Sequence, residues 1–312
     1  MTIKSIIPVL SAIFLSANLI SGQDSVRIVI EEIYTISQIG FIEKCEIRIP
    51  VPQDYIKHQA IKNIAYSIKP DYTIKEGNSR YAIYELSETE LGRISSIEII
   101  LELELYDYDL SVARKNSTES KLRKNQRRWY LRKTGYYKLP EESLDTILNI
   151  QLTDEVEKVN QIHDFVVDHL EYQTFFGKDK GAQYALKERW GDCTEYADLM
   201  IALCRYSDIP ARRVSGYTVM QDTSQLLAKI FRSSGHAWVE VYFNDFGWIP
   251  FDPTHSDGSS TINFNNLTTK YIYVNFAEFE KGMSWRWWGN GSIQVKLDRK
   301  IRDIHYPKFI HQ

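Results

Sequence analysis

The residue with the most chemistry to offer is a cysteine that follows Gly-Asp and opens a helical pattern, Cys193 in "RWGDCTEYADLMIALC". Asp192 and Glu195 flank it with the spacing of a capping box, aspartate at N-cap and glutamate at N3. Cys193 is then the first helical residue, where backbone N–H groups lack partners and the positive end of the helix dipole favours a thiolate. Its face continues through Ala197, Met200, Ile201 and Cys204, so the sulfur tops an apolar stripe. Cys204 lies deeper on that stripe, away from the helix end, and reads as core. Taken alone, Cys193 has three readings: a nucleophile, a metal ligand, or a small buried apolar residue.

Two further groups stand downstream. "GHAWVEVYF" puts His236 in a strand-like run, and "GWIPFDPT" puts Asp252 in the next. The intervening "NDFG" reads as a hairpin turn, which makes the two runs neighbouring antiparallel strands. Hairpin counting leaves His236 and Asp252 a few residues out of register, and a bulge at Pro250 would correct this. Trp238 and Trp248 flank the pair, either packing on the strands or contacting substrate. Gly191 and Gly235 give the backbone room beside Cys193 and His236. A metal site of Cys193, His236, Asp252 and His255 would lack paired close-spaced ligands, and neither metal nor cofactor is expected.

These groups need elements to hold them. Residues 26–36, 45–51, 80–86 and 94–105 read as strands. In the last, Ile97, Ile99, Leu101, Leu103 and Leu105 alternate with glutamates, giving one buried and one wet face. Residues 24–112 are therefore expected to form an all-β sandwich. Residues 113–150 follow as a basic connector: seven of the thirteen residues 121–133 are Lys or Arg. Trp129 and Tyr130 are expected to dock it onto a domain. From Thr153, the expected cap, helical spacing runs through Val156, Val159, Ile162, Val166 and Leu170. Helices first and strands after Pro210 predict an α+β domain over 151–312, its helices packed on a largely antiparallel sheet.

Composition and the termini set the limits. A formal net charge of −3 gives no global attraction to nucleic acid. Residues 1–23 carry Lys4, an apolar run and small polar residues near Gly22, the pattern of a signal peptide, and no other segment could span a bilayer. The protein is expected to be exported, periplasmic or extracellular, with no stable membrane insertion after cleavage. Only three cysteines are present, Cys45, Cys193 and Cys204, so at least one thiol stays unpaired within the chain.

Gly-Asp-Cys193 leading into a helix, then "IPARRVSGY", "GHAWVEVY" and "GWIPFDPT", resembles the transglutaminase-like superfamily. The order and spacing of these blocks over about 190–254 carry the resemblance; Tyr172 and the preceding helix extend it to about 153. The resemblance implies a papain-like catalytic domain in which Cys193 is the nucleophile, His236 the base and Asp252 the residue that orients the histidine. It implies acyl transfer at an amide of a protein or peptide through a thioester, with hydrolysis favoured over glutamine cross-linking. The alternative is a binding module that keeps the fold without turnover. The backbone N–H of Cys193 would be the first oxyanion donor, with Gln173, Gln183 or Trp190 as candidates for the second.

Overall fold

The computed structural model describes residues 25–55, 58–106, 108–109, 121–140, 154–174, 178–218, 235–245, 247–254, 266–267, 271–276 and 282–305. The expected leader, Thr153 and His255 lie outside these. The first part of the chain forms β1 (Ser25–Ile39), β2 (Ile42–Val51), β3 (Gln59–Tyr66), β4 (Tyr72–Glu76), β5 (Ser79–Ser87), the short helix α1 (Glu88–Leu91), β6 (Ser96–Tyr106) and β7 (Tyr108–Asp109). Then come α2 (Lys124–Tyr130), α3 (Glu155–His169), β8 (Glu171–Tyr172), α4 (Ala182–Glu188), β9 (Trp190–Gly191) and α5 (Cys193–Tyr206). The chain continues with β10 (Ala211–Thr218), β11 (His236–Phe243), β12 (Gly247–Phe251), β13 (Asn266–Leu267), β14 (Tyr271–Asn275), β15 (Ser284–Gly289) and β16 (Ser292–His305).

Period-two alternation builds the first unit. In β6, Ile97, Ile99, Leu101, Leu103 and Leu105 are fully buried while the residues between them face outward. Two four-stranded antiparallel sheets, in the orders β16-β1-β6-β3 and β15-β2-β5-β4, close over one core. Sequence pattern missed β3 and β4, which are polar outer strands with little buried surface to impose a period.

The C-terminal strands depart from the expected division of the chain. β16 pairs with β1 from Arg27↔His305 to Ile39↔Ser292, and β15 pairs with β2, so residues 284–305 complete the sandwich rather than the second sheet. Alternation marks these segments as strands but carries no information about their partner. Covering the open edges of β1 and β2 is the physical gain.

The second unit packs helices on a sheet of order β12-β11-β10-β14. Helix α3 is capped by Asp154, whose carboxylate accepts from the Val156 and Glu157 N–H groups at 2.8 and 2.9 Å, one residue later than expected. Residues Glu195 to Arg205 of α5 are all buried, and α5 lies against β10 and β11. The basic stretch forms α2. Tyr130 packs edge-on against Trp248 with ring centroids 4.8 Å apart, whereas Trp129 stays exposed beneath the Arg132 guanidinium.

The two units share buried surface. Tyr217, Ile272 and Val274 from the second sheet enter the sandwich core. Across the junction, the buried Glu240 carboxylate accepts from Tyr55 and from Arg212, the latter at 2.7 Å, and the Arg212 guanidinium stacks on Trp248. Removing one partner of such a pair strands the other charge in the interior. Glu240→Ala is therefore expected to cost about 3–5 kcal/mol, read as a lower urea midpoint with an unchanged slope. A stability within about 0.5 kcal/mol of the parent would show that water reaches Arg212.

Candidate active site

Local sequence fixes where the thiol sits. Asp192 is the N-cap of α5, its Oδ1 accepting from the Thr194 N–H at 2.9 Å. Glu195 completes the box by accepting from the Asp192 N–H at 3.2 Å, and its other oxygen accepts from the Lys180 N–H at 2.8 Å. A Cβ at Gly191 would run into the Glu195 side chain, so glycine is required for this close approach. Cys193 is the first residue of α5 and half-buried, as the capping box predicts.

The thiol's neighbour comes from the sheet. His236 opens β11, opposite Gly216 of β10. Its Nε2 donates to Asp252 Oδ2 at 2.7 Å, which leaves Nδ1 for Cys193, a second hydrogen-bond partner of the ring. Burial disfavours the imidazolium. The hydrogen bonds to Asp252 and Cys193 and the charges of both groups outweigh it, and the pKa of His236 is raised to about 9.

No bulge is needed to bring Asp252 to the histidine. The β11–β12 register runs without a shift from Val239↔Phe251 through Glu240↔Pro250 to Phe243↔Gly247. Pro250 sits in an edge strand, where its missing N–H is tolerated. One step beyond Phe251, Asp252 comes opposite Trp238 and is a diagonal neighbour of His236, within reach of the aromatic imidazole. Its Oδ1 accepts from the Thr254 N–H at 3.0 Å, and its Oδ2 accepts a second hydrogen bond, from the Tyr271 hydroxyl at 2.7 Å. Sequence reading missed Tyr271. Nothing in "KYIYVNF" signals which group a tyrosine will meet three strands away.

The other candidates divide. Trp238 is fully buried and stacks beneath His236 with ring centroids 5.8 Å apart, so it supports the imidazole and is closed to substrate. Trp248 lies opposite Tyr242, six residues along β11 from His236, about 20 Å at the strand rise. The hairpin's length thus removes Trp248 from the site, and it packs on Tyr130, Tyr242 and Arg212 instead. Trp190 and Gln173 border the thiol segment: β8 runs parallel to β9 with Tyr172 beside Gly191, and the Gln173 N–H donates to the Gly191 carbonyl at 2.9 Å. Gln183 is exposed on the first turn of α4. Tyr172 is half-exposed, and its phenol is pushed up chiefly by burial and secondarily by the neighbouring Cys193.

The remaining cysteines are core. Burial pushes the Cys204 thiol up to about 12 and the Cys45 thiol up to about 11. Among the described residues, no group of three or more His, Cys, Asp or Glu side chains is arranged to hold a metal ion, and no helix is long and apolar enough to cross a membrane.

Several known proteins resemble this chain. The uncharacterized protein YebA of Bacillus subtilis is 29% identical over 152 residues, 43% of this chain and 20% of that protein. A protein-glutamine gamma-glutamyltransferase of Pseudomonas aeruginosa is 35% identical over 82 residues, 25% of this chain and 12% of that protein. The chain thus spans a fifth or less of the length of these two relatives. A solved structure from Cytophaga hutchinsonii, provisionally named a cysteine protease, superposes with a TM-score of 0.60 at 18% identity, covering 91% of this chain and 92% of that one. It shares the fold along nearly the whole length, sandwich included. Residues 146–253, which carry Cys193, His236 and Asp252, match the family model of the transglutaminase-like superfamily and have its papain-like fold.

Proposed function

We propose that this protein is a thiol-dependent acyl-transfer enzyme acting on an amide bond of a protein or peptide, with water as the favoured acceptor. The observation that carries the reading is the chain of contacts from Cys193 at a helix start, through His236, to Asp252. In the first half-reaction the Cys193 thiolate adds to the amide carbonyl carbon. The oxyanion lies toward the N–H groups at the start of α5, and Tyr172, Gln173 and Trp190 border the place where a second donor would stand. Collapse breaks the C–N bond, the His236 imidazolium gives its proton to the leaving nitrogen, and a thioester remains. Water then attacks the thioester. His236 takes the proton of the water, and the carboxylic acid leaves as the thiolate re-forms. Asp252 holds the ring with Nδ1 toward the sulfur and stabilises its charge throughout.

An amine can replace water at the thioester. The likeness to a protein-glutamine gamma-glutamyltransferase favours this as the second reading, since the matched segment falls in a protein of that name. The signal-like residues 1–23 support export of the whole chain, where such an enzyme would meet cell-envelope or extracellular proteins.

Trapping identifies the reaction. Incubation with a casein-type acceptor protein and a fluorescent primary amine, followed by mass spectrometry, is expected to show new amino termini or deamidated side chains, and none with Cys193→Ala. Amine incorporation without hydrolysis would instead select cross-linking. Full activity in Cys193→Ala would overturn both.

The pH dependence follows from His236. Its folded pKa is raised to about 9 from an ordinary value of 6.5, so the stabilisation Asp252 gives the imidazolium is fully present below about 6.5 and lost as pH rises through about 9. The rate is expected to fall on the alkaline side near pH 9. Asp252→Asn removes the charge that holds the proton. It should move that limb downward toward about 6.5 and lower kcat/KM by roughly 10²–10⁴. A limb that stays at its parent position would show that Asp252 does not act on the histidine.

A further inference from the structure

Asp252 is held from three sides. Thr254 N–H binds one oxygen at 3.0 Å, while the other is shared between His236 Nε2 and the Tyr271 hydroxyl, each at 2.7 Å. Tyr271 belongs to β14, on the far side of β10 from β11. Its ring reaches the aspartate by crossing above the sheet edge-on to Trp238, with centroids 5.2 Å apart. Gly216 leaves the room beneath this aromatic layer. A Cβ there would collide with the Ile272 carbonyl and approach the Trp238 ring.

The N-terminal sandwich grips the same strand. The Gln59 side-chain amide donates to the Tyr273 carbonyl at 2.9 Å and accepts from the Tyr273 N–H at 2.8 Å, the two bonds a neighbouring strand would make. Tyr55 stacks on Tyr273 at 4.1 Å, and His58 Nε2 lies 2.8 Å from the carbonyl of Tyr271 itself. The segment from Tyr55 to Gln59, leading into the start of β3, thus closes the free edge of β14 and fixes the backbone that carries the Tyr271 phenol.

We propose that Tyr271 is a positioning residue that sets the proton affinity of His236 by sharing Oδ2 of Asp252, and that the sandwich serves the site by holding β14 in place. The proposal rests on His236 being the acid–base partner of Cys193. Burial and the negative Asp252 both raise the Tyr271 pKa, so the phenol stays protonated and donates across the working range of pH. Among the described residues, the charged and titratable groups facing His236 include Asp252 beyond β12, Cys193 on α5 and Tyr271 on β14, whose ring lies 6.3 Å from the imidazole and whose hydroxyl meets Asp252. Two donors on one oxygen compete for its electron density. With the Tyr271 donor gone and Oδ1 still held by Thr254, Oδ2 becomes the stronger acceptor, and the imidazolium keeps its proton to higher pH.

The test is an NMR titration of the His236 ring in the intact chain, which needs no substrate. Tyr271→Phe is expected to move the His236 midpoint upward by about 0.5 pH or more, and to carry the alkaline limb of any turnover with it. In an Asp252→Asn background the same substitution should shift the midpoint by less than about 0.2, because the effect passes through the carboxylate. An unchanged or lowered midpoint in Tyr271→Phe, or an undiminished shift in the double variant, would overturn the proposal. Gln59→Leu, which frees β14 without touching the phenol, should move the midpoint in the same direction; no movement would overturn the part assigned to the sandwich. Absence of turnover in the parent protein would sink the proposed reaction instead, and these titrations would still read.

Discussion

A thiol at a helix start and an imidazole at a strand start meet only if helix and strand are locked together along their whole length, and α5 supplies that lock. Its run from Glu195 to Arg205 is buried, and its apolar side packs into one cluster with Ala237, Val239 and Val241 of β11. Each polar group that this burial traps has a partner. Glu195 accepts two backbone N–H groups, Asp198 pairs with Arg213 at 3.1 Å, and Arg205 donates to the carbonyls of Ala211 and Arg132. Asp198 is fully buried, and burial lifts its carboxyl to about 7 against the pull of Arg213. A helix so enclosed cannot slide, so Cys193 keeps its distance from His236 without help from a bound ligand.

The sheet is held from its other face by the sandwich, and here too charges do the fixing. Glu32, fully buried in β1, accepts from Tyr34, Tyr217 and Arg299, which joins the first strand, the second sheet and β16 at one carboxylate. Glu240 does the same for Tyr55 and Arg212. Such clusters contribute less to net stability than apolar residues of their volume would, but they accept one register only, since any slip leaves a buried charge unpaired. The sandwich and the helix–sheet unit therefore meet in one arrangement.

How much of this was legible in the sequence depends on the range of each interaction. The capping box at Asp192 and Glu195, the alternation of β6 and the hairpin joining β11 to β12 are set within a few residues, and the structure has all of them. Partnership between distant strands was not legible. The pattern that marks β16 as a strand says nothing of β1, more than 250 residues upstream, because side-chain alternation is the same whatever the neighbour. The supposed bulge at Pro250 failed for a related reason. Counting residues across a hairpin locates backbones, whereas His236 and Asp252 meet through diagonal side-chain reach. Tyr271 was out of sight because its role exists only once β14 lies beside β10 and the phenol crosses to another strand's end.

The fate of the three cysteines shows how environment, rather than residue type, divides reactive from inert sulfur. Cys45 faces the sandwich core and Cys204 the underside of α5, and in both places desolvation penalises the thiolate. Cys193 and Cys204 share one helix and one apolar stripe, yet eleven residues along the axis separate the positive end of the helix dipole from its interior. Only at the start of the helix does the stripe meet water, the dipole and a histidine together. The odd cysteine count raised the question of an unpaired thiol. Since all three thiols are free, the count itself decides nothing, and position along α5 decides which sulfur can act.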